Sequence, residues 1–176
     1  KSFGSYVSIT KLSNYFRSLG ISKSKRTLSN YLRYLEEAYY VILVRKFGFT
    51  TREVLQQPRK VYPIDTAYFR RKAIGPMMES VVAVELMRRG LNYGYLRIND
   101  YEVDFVINRE PREYVQVTYA SAMDEIDRRE FRALARVSEA LGRGIARVIT
   151  WDLEGEVTIN GVRITMTPLW KWLLEG

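Results

Sequence analysis

The segment YEVDFVINREPREYVQVTYA, residues 101–120, constrains the fold more than any other part of the sequence. Apolar residues alternate on both sides of the polar stretch NREPR, with the period of two that half-buried strands require. Two such runs around a short turn predict an antiparallel hairpin. With a three-residue loop between Asn108 and Arg112, Phe105 lies opposite Val115 and Val103 opposite Val117. Asp104 then faces Gln116, and Glu102 faces Thr118. This register gathers the apolar residues on one face and Glu102, Asp104, Gln116 and Thr118 on the other. A slip of one residue would mix the two sets. Asp104 is the anomaly, because Asp is a poor strand former and this one interrupts VDF.

The flanking segments place the hairpin in an α/β context. GPMMESVVAVELMRRG reads as a helix with Pro76 in its first turn and Gly90 at its end. Met78, Val81, Val82 and Leu86 make most of its surface apolar, so it is expected to be buried. Glu79 sits among them, and a carboxylate there is costly unless it is paired, metal-bound or at a rim. The same polar patch is expected to receive it. LNYGYLRI reads as a strand. MDEIDRREFRALARVSEALG is an amphipathic helix with Ile126, Leu134, Val137 and Leu141 inward and Glu130 in phase with them. IARVITW is a buried strand, VTINGVRITM a hairpin turning at Asn160-Gly161, and PLWKWLL a closing helix. The order is helix, three strands, helix, strand, with a terminal hairpin.

Composition narrows the chemistry. The 176 residues include no Cys and no His, which removes disulfides, Cys/His zinc sites, thiol nucleophiles and His-based triads. Metal chemistry would run on carboxylates, which favour Mg²⁺ or Mn²⁺. The 47% hydrophobic and 27% charged content suits a soluble globular protein. No apolar run is long enough for a membrane span, and a cytoplasmic location is expected. The first residue is Lys1 rather than Met, which reads as a fragment of a longer chain.

Charge is unevenly spread. Residues 1–75 carry 15 Lys and Arg against 4 Asp and Glu, whereas residues 76–176 carry 13 against 16. A basic half and a mildly acidic half suggest two modules with different partners. Within the basic half, residues 8–38 predict two helices. Ser8 caps the first, with Ile9, Leu12, Phe16 and Leu19 at helical spacing and Gly20 as its stop. Ser22 or Ser24 caps the second, KRTLSNYLRYLEEA, whose apolar stripe is Leu28, Tyr31, Leu32 and Leu35. Lys25, Arg26, Ser29, Asn30 and Arg33 lie on its other side. Such a helix suits the major groove of DNA, with cations on phosphate and short polar groups on base edges. YYVILVRKF and KVYPID read as strands joined by the loop GFTTREVLQQPR. The arrangement resembles a winged helix whose first helix would precede Lys1, with Arg45, Lys46, Arg52, Arg59 and Lys60 on the wing. A solvated cationic face and a protein-docking module are the alternatives. The basic excess favours nucleic acid, because phosphate neutralisation dominates non-specific affinity.

A helix-borne Glu followed by a hairpin with Asp on one strand resembles the PD-(D/E)XK nuclease superfamily, whose core is αβββαβ around a central mixed sheet. More narrowly, GPMMESVVAVEL, YEVDFVI, YVQVTYA and RREFRAL resemble the C-terminal region of a prokaryotic, largely archaeal, ATPase family. There an ATPase module precedes a winged helix and a PD-(D/E)XK-like domain. The resemblance spans essentially the whole chain and implies a winged helix over residues 1–72 and a nuclease-like domain over 73–176. No Gly-Lys-Ser/Thr phosphate loop is present, so ATP would bind only in an upstream domain.

By that resemblance Glu79 and Asp104 match the helix and strand acids of the catalytic set. Gln116 stands where a second acid is usual, and Thr118 where a Lys is usual. Asp104 and Glu79 are the implied ligands of Mg²⁺ or Mn²⁺ at a degenerate site, and Glu102, which is expected to share Asp104's face, is placed to replace the missing ligand. Beyond Lys72 the only lysine is Lys171, and neither Arg88 nor Arg97 can act as a base. The expected function is therefore a DNA-binding, nuclease-like ATPase module with impaired catalysis. An active Mg²⁺-dependent endonuclease and a regulatory protein-docking module are the alternatives.

Overall fold

The computed structural model describes residues 4–48, 57–69 and 73–175. Strand β1 (Ser5–Val7) leads into helix α1 (Ile9–Ser18), where the N-cap Ser8 side chain accepts from the Lys11 N–H. Helix α2 (Lys25–Glu37) is capped in the same way by Ser24. Strands β2 (Val41–Val44) and β3 (Arg59–Pro63) complete an antiparallel sheet in the order β1-β3-β2. Most of the loop expected between β2 and β3, including Arg52, lies outside the described residues.

Alternation sorts the two faces of this small sheet. Val41, Leu43 and Val61 pack with Val7 and with Leu32 of α2. Ile42, Val44 and Tyr62 point the other way, into a cluster with Met78, Val82, Tyr95 and Phe105. Residues on both sides of position 72 thus share one core. The stripe expected on α2 is only partly used, because three short strands offer a narrow apolar face. Leu28 is buried and Leu32 half-buried, but Tyr31 and Leu35 are exposed.

Helix α3 (Ile74–Arg88), strands β4 (Tyr93–Ile98), β5 (Tyr101–Ile107) and β6 (Glu113–Val117), helix α4 (Arg128–Leu141) and strand β7 (Ile145–Thr150) follow in the expected order. Strands β8 (Gly155–Ile159) and β9 (Val162–Pro168) and helix α5 (Leu169–Leu174) complete the fold. Six strands form one mixed sheet in the order β4-β5-β6-β7-β9-β8. Its first three strands are antiparallel, β6, β7 and β9 run parallel, and β8 returns antiparallel. Met78, Val82 and Leu86 of α3 pack on one face with Phe105, Val115 and Val117. Phe131, Leu134 and Val137 of α4 cover the other with Val106, Tyr114 and Val148. Asn160 and Gly161 turn β8 into β9 at φ 51° and 74°, the left-handed pair that an Asn-Gly hairpin supplies.

The β5–β6 register is the expected one, with Phe105 opposite Val115 and Ile107 opposite Glu113. The β4–β5 edge is irregular. Glu102 and Val103 pair with Arg97 and Leu96, but Val106 and Ile107 pair with Gly94 and Tyr93. Asp104 and Phe105 therefore share the position opposite Tyr95, a β-bulge. The extra residue inverts the phase of the strand on either side. Val103 joins the cluster beneath α4, whereas Phe105 and Val117 belong to the one beneath α3. The expected pairing of Val103 with Val117 on a shared face is not formed.

Candidate functional site

The bulge turns Asp104 into the interior, where it is 5% exposed. Its Oδ2 accepts the Val117 N–H at 3.0 Å, and its own N–H donates to Gln116 Oε1 at 3.4 Å. Side chains thereby satisfy backbone groups where the regular ladder is interrupted. The other oxygen, Oδ1, accepts from Lys60 Nζ at 2.8 Å. The same ammonium lies 2.6 Å from Glu102 Oε1, is 3% exposed, and stands 5.8 Å from the centre of the Tyr6 ring. Lys60 and Tyr62 share a face of β3 by alternation, and the Tyr62 hydroxyl donates to Glu79 Oε2 at 2.8 Å.

Four ionisable groups from β3, α3 and β5 therefore meet at one place. Burial works against the Lys60 ammonium, but Asp104, Glu79 and Glu102 outweigh it and hold the lysine charged. Burial, then the charge of Asp104, pushes the Glu79 carboxyl up to about 8, against the opposing effects of Lys60 and Tyr62. Burial also raises Glu102, yet Lys60 and the neighbouring Tyr6 hydroxyl prevail and keep it below the usual glutamate range. At neutral pH the cluster holds one ammonium, the carboxylate of Glu102, Asp104, and a largely protonated Glu79. Such pairing makes the burial of these charges tolerable.

Of the expected catalytic set, Glu79 and Asp104 converge, joined by Glu102 from the expected metal set. Gln116 and Thr118 do not. They alternate with Val115 and Val117, which pack beneath α3, so they face α4. There the Thr118 hydroxyl meets Glu130, whose carboxyl burial and the charge of Asp104 push up to about 7. The single polar patch expected on one sheet face is thus divided between two faces, and the bulge is the cause. Gln116 reaches Asp104 only through the Asp104 backbone.

Lys60 also differs from expectation. The sequence places it on a basic wing, but it is withdrawn into the carboxylate cluster and offers no charge to solvent. Tyr6 and Tyr62 are further site residues that sequence reasoning missed. The available signal was the alternation in KVYP, which puts Lys60 and Tyr62 on the face opposite Val61. The remaining basic set stays on the surface. Lys25, Arg26, Ser29, Arg33 and Arg45 are exposed, while Asn30, Lys46 and Arg59 are half-buried. Arg33 pairs with Glu37 at 3.2 Å, and its guanidinium lies 5.1 Å from the Tyr34 ring.

Mg²⁺ or Mn²⁺ does not fit this donor set. Asp104 spends one oxygen on Val117 and the other on Lys60, Glu102 shares that ammonium, and Glu79 accepts from the Tyr62 hydroxyl. Among the described residues no three acidic side chains form a metal-binding group. Nor is any helix among them long and apolar enough to cross a membrane.

No family model matches the sequence. The chain is similar to an uncharacterized protein of Methanocaldococcus jannaschii, 30% identical over 189 aligned positions covering 98% of this chain and 42% of the relative. It is also similar to an uncharacterized protein of Haemophilus influenzae, 29% identical over 124 positions covering 66% of this chain and 31% of that protein. The chain spans less than half the length of the curated relatives it matches.

Proposed function

We propose that this chain is the DNA-binding C-terminal module of a cytoplasmic ATPase, built as a winged helix joined to a PD-(D/E)XK-like domain that no longer cleaves. Two helices between β1 and β2, with sheet order β1-β3-β2, support the winged-helix reading. The run from α3 to β7, with its mixed sheet, supports the endonuclease-like reading. The greater length of both relatives leaves room for an ATPase module elsewhere in such a protein.

One observation carries the loss of cleavage. The Lys60 ammonium sits 2.8 Å from Asp104 and 2.6 Å from Glu102, so a fixed monovalent cation takes the place a hard divalent ion would need. The exposed cations of α2, Lys25, Arg26 and the Glu37-paired Arg33, carry the binding half of the reading, since their charges face solvent where phosphate can reach them. The test combines duplex affinity across a salt series with incubation of supercoiled plasmid in Mg²⁺ or Mn²⁺. Affinity is expected to fall steeply with salt, and the plasmid to stay supercoiled. Cleavage that Asp104→Ala abolishes would instead establish an active endonuclease that depends on Asp104.

A second reading, protein docking, draws on one feature of α2. Tyr31, Tyr34 and Leu35 are 48%, 52% and 40% exposed, and clustered apolar exposure marks interaction surfaces. Absence of duplex binding at every salt concentration would select it.

A further inference from the structure

A cleft of about 560 Å³ opens between β1, α1 and the edge strand β4, with Tyr6, Lys11, Lys46, Tyr95, Arg97 and Asn99 in its wall. Among the described residues three cations line it and no acidic side chain does. Among the described residues, none of the three lies within 4.0 Å of a carboxylate. Arg97 stands cross-strand from Glu102 and helps to hold that carboxyl low, but its guanidinium remains exposed.

The backbone fixes the positions from which these cations project. Lys46 forms a parallel bridge with Tyr95, secured by Phe47 N–H to Tyr95 O at 2.6 Å and Tyr95 N–H to Arg45 O at 3.0 Å. Lys11 belongs to the capped first turn of α1. Arg97 follows Tyr95 by two positions and so shares its side of β4. The Tyr95 hydroxyl donates to Pro58 O at 2.6 Å, and the Tyr6 ring meets that of Tyr95 edge-on at 5.1 Å. Tyr6 lines the cleft, and its ring centre stands 5.8 Å from the Lys60 ammonium.

Three cations beside the Tyr6 ring suit phosphate next to a flat base. The volume is that of a small-ligand pocket, too small for a duplex but open to one strand. We propose that this cleft binds the phosphate backbone of a single nucleic-acid strand, through Lys11, Lys46 and Arg97, with Tyr6 against a base. The proposal rests on the nucleic-acid reading above and adds to it a contact surface separate from α2.

The test measures fluorescence anisotropy of a labelled single-stranded 20-mer and of the same sequence as duplex, across a salt series. For the triple variant Lys11→Gln/Lys46→Gln/Arg97→Gln, single-strand affinity is expected to fall at least tenfold. The log–log salt slope is expected to fall by about 2, as the loss of three phosphate contacts requires. Arg26→Gln/Arg33→Gln on α2 should weaken duplex binding and leave single-strand affinity within twofold. In the unmodified protein the bound 20-mer should protect Lys11 and Lys46 from acetylation, but not Lys171, which keeps the result independent of how the variant folds. Unchanged single-strand binding by the triple variant, or lack of that protection, would overturn the cleft and leave the α2 reading standing. Displacement of the 20-mer by AMP at equal nucleotide concentration would overturn the strand and assign the cleft to free nucleotides. Failure of the unmodified protein to bind either probe would overturn both.

Discussion

Lys60 donates a buried hydrogen bond of 2.8 Å to Asp104, across 44 residues of sequence and between the two sheets of the molecule. One partner comes from the basic half and the other from the acidic half. The pair therefore links halves whose composition suggested separate partners. Buried ion pairs contribute little net stability over a well-packed apolar alternative, but breaking one partner away is costly.

Lys60→Met tests that asymmetry. It removes the ammonium and leaves Asp104 buried, with only Val117 N–H as a donor to its carboxylate. The variant is expected to lose ~3–5 kcal/mol in urea unfolding. Adding Asp104→Leu should recover only part of the loss, because the Val117 N–H then has no acceptor. Full recovery would mean that the carboxylate contributes nothing to the bulge.

The raised carboxyls give stability a definite pH dependence. Glu79 titrates near 4.5 when unfolded and at about 8 when folded, so the native state holds its proton more tightly between those values. The associated stability is fully present below pH 4.5 and is lost as pH rises through about 8. The limiting slope is about 1.4 kcal/mol per pH unit for one proton. Glu130, at about 7, adds a term of the same sign. Glu85 is held down to about 2, chiefly by Arg88 and then Arg89, and Glu102 is lowered by Lys60. Their stabilisation is present above the unfolded values and is lost as pH falls. Stability is thus expected to peak in mildly acidic solution. Glu79→Gln should flatten the decline toward pH 8, and an unchanged decline in denaturant titrations would contradict the assignment.

The sequence made the large elements legible because their signals are local. The β5–β6 register follows from alternation alone, and the β8–β9 turn from Asn-Gly. The order of α3 through β7 follows from the switch between helical and strand periods. The site was less legible, because its geometry depends on one extra residue. Nothing in YEVDFVI announces that Asp104 and Phe105 will share a place opposite Tyr95, yet that choice separates Thr118 from Glu102 and aims Asp104 at β3. The source of the lysine was hidden for another reason. Sequence reasoning sought a replacement cation only beyond Lys72, whereas Lys60 arrives from a separate sheet. Alternation in KVYP could have identified Lys60 as inward-facing, but not the carboxylates it would meet.

Gly94→Ala probes the seam between the two sheets. A Cβ at Gly94 would stand 2.7 Å from Arg45 O and 2.9 Å from Phe47 N, both backbone atoms that cannot swing aside. The bonds that hold residues 45–47 to Tyr95 would have to shift. A loss of roughly 1–3 kcal/mol is expected, the usual cost of forcing atoms into a packed site. Hydrogen exchange should report it first at the Phe47 and Tyr95 amides.

The α2 reading makes its own quantitative prediction in salt. Each phosphate contact on duplex DNA contributes about 0.9 to the slope of log affinity against log salt. Arg26→Gln and Arg33→Gln should therefore each lower the slope by up to about 1, with similar losses on unrelated sequences, because phosphate contacts carry no base information. The two should differ in size. Arg33 already shares its charge with Glu37 at 3.2 Å and lies against Tyr34, so binding DNA must first break those contacts. Arg26 is exposed, with no such partner among the described residues. Anisotropy titrations should thus show the larger loss for Arg26→Gln. Equal affinities for both variants and the unmodified chain would shift the weight from DNA to the exposed tyrosines and leucine of the same helix.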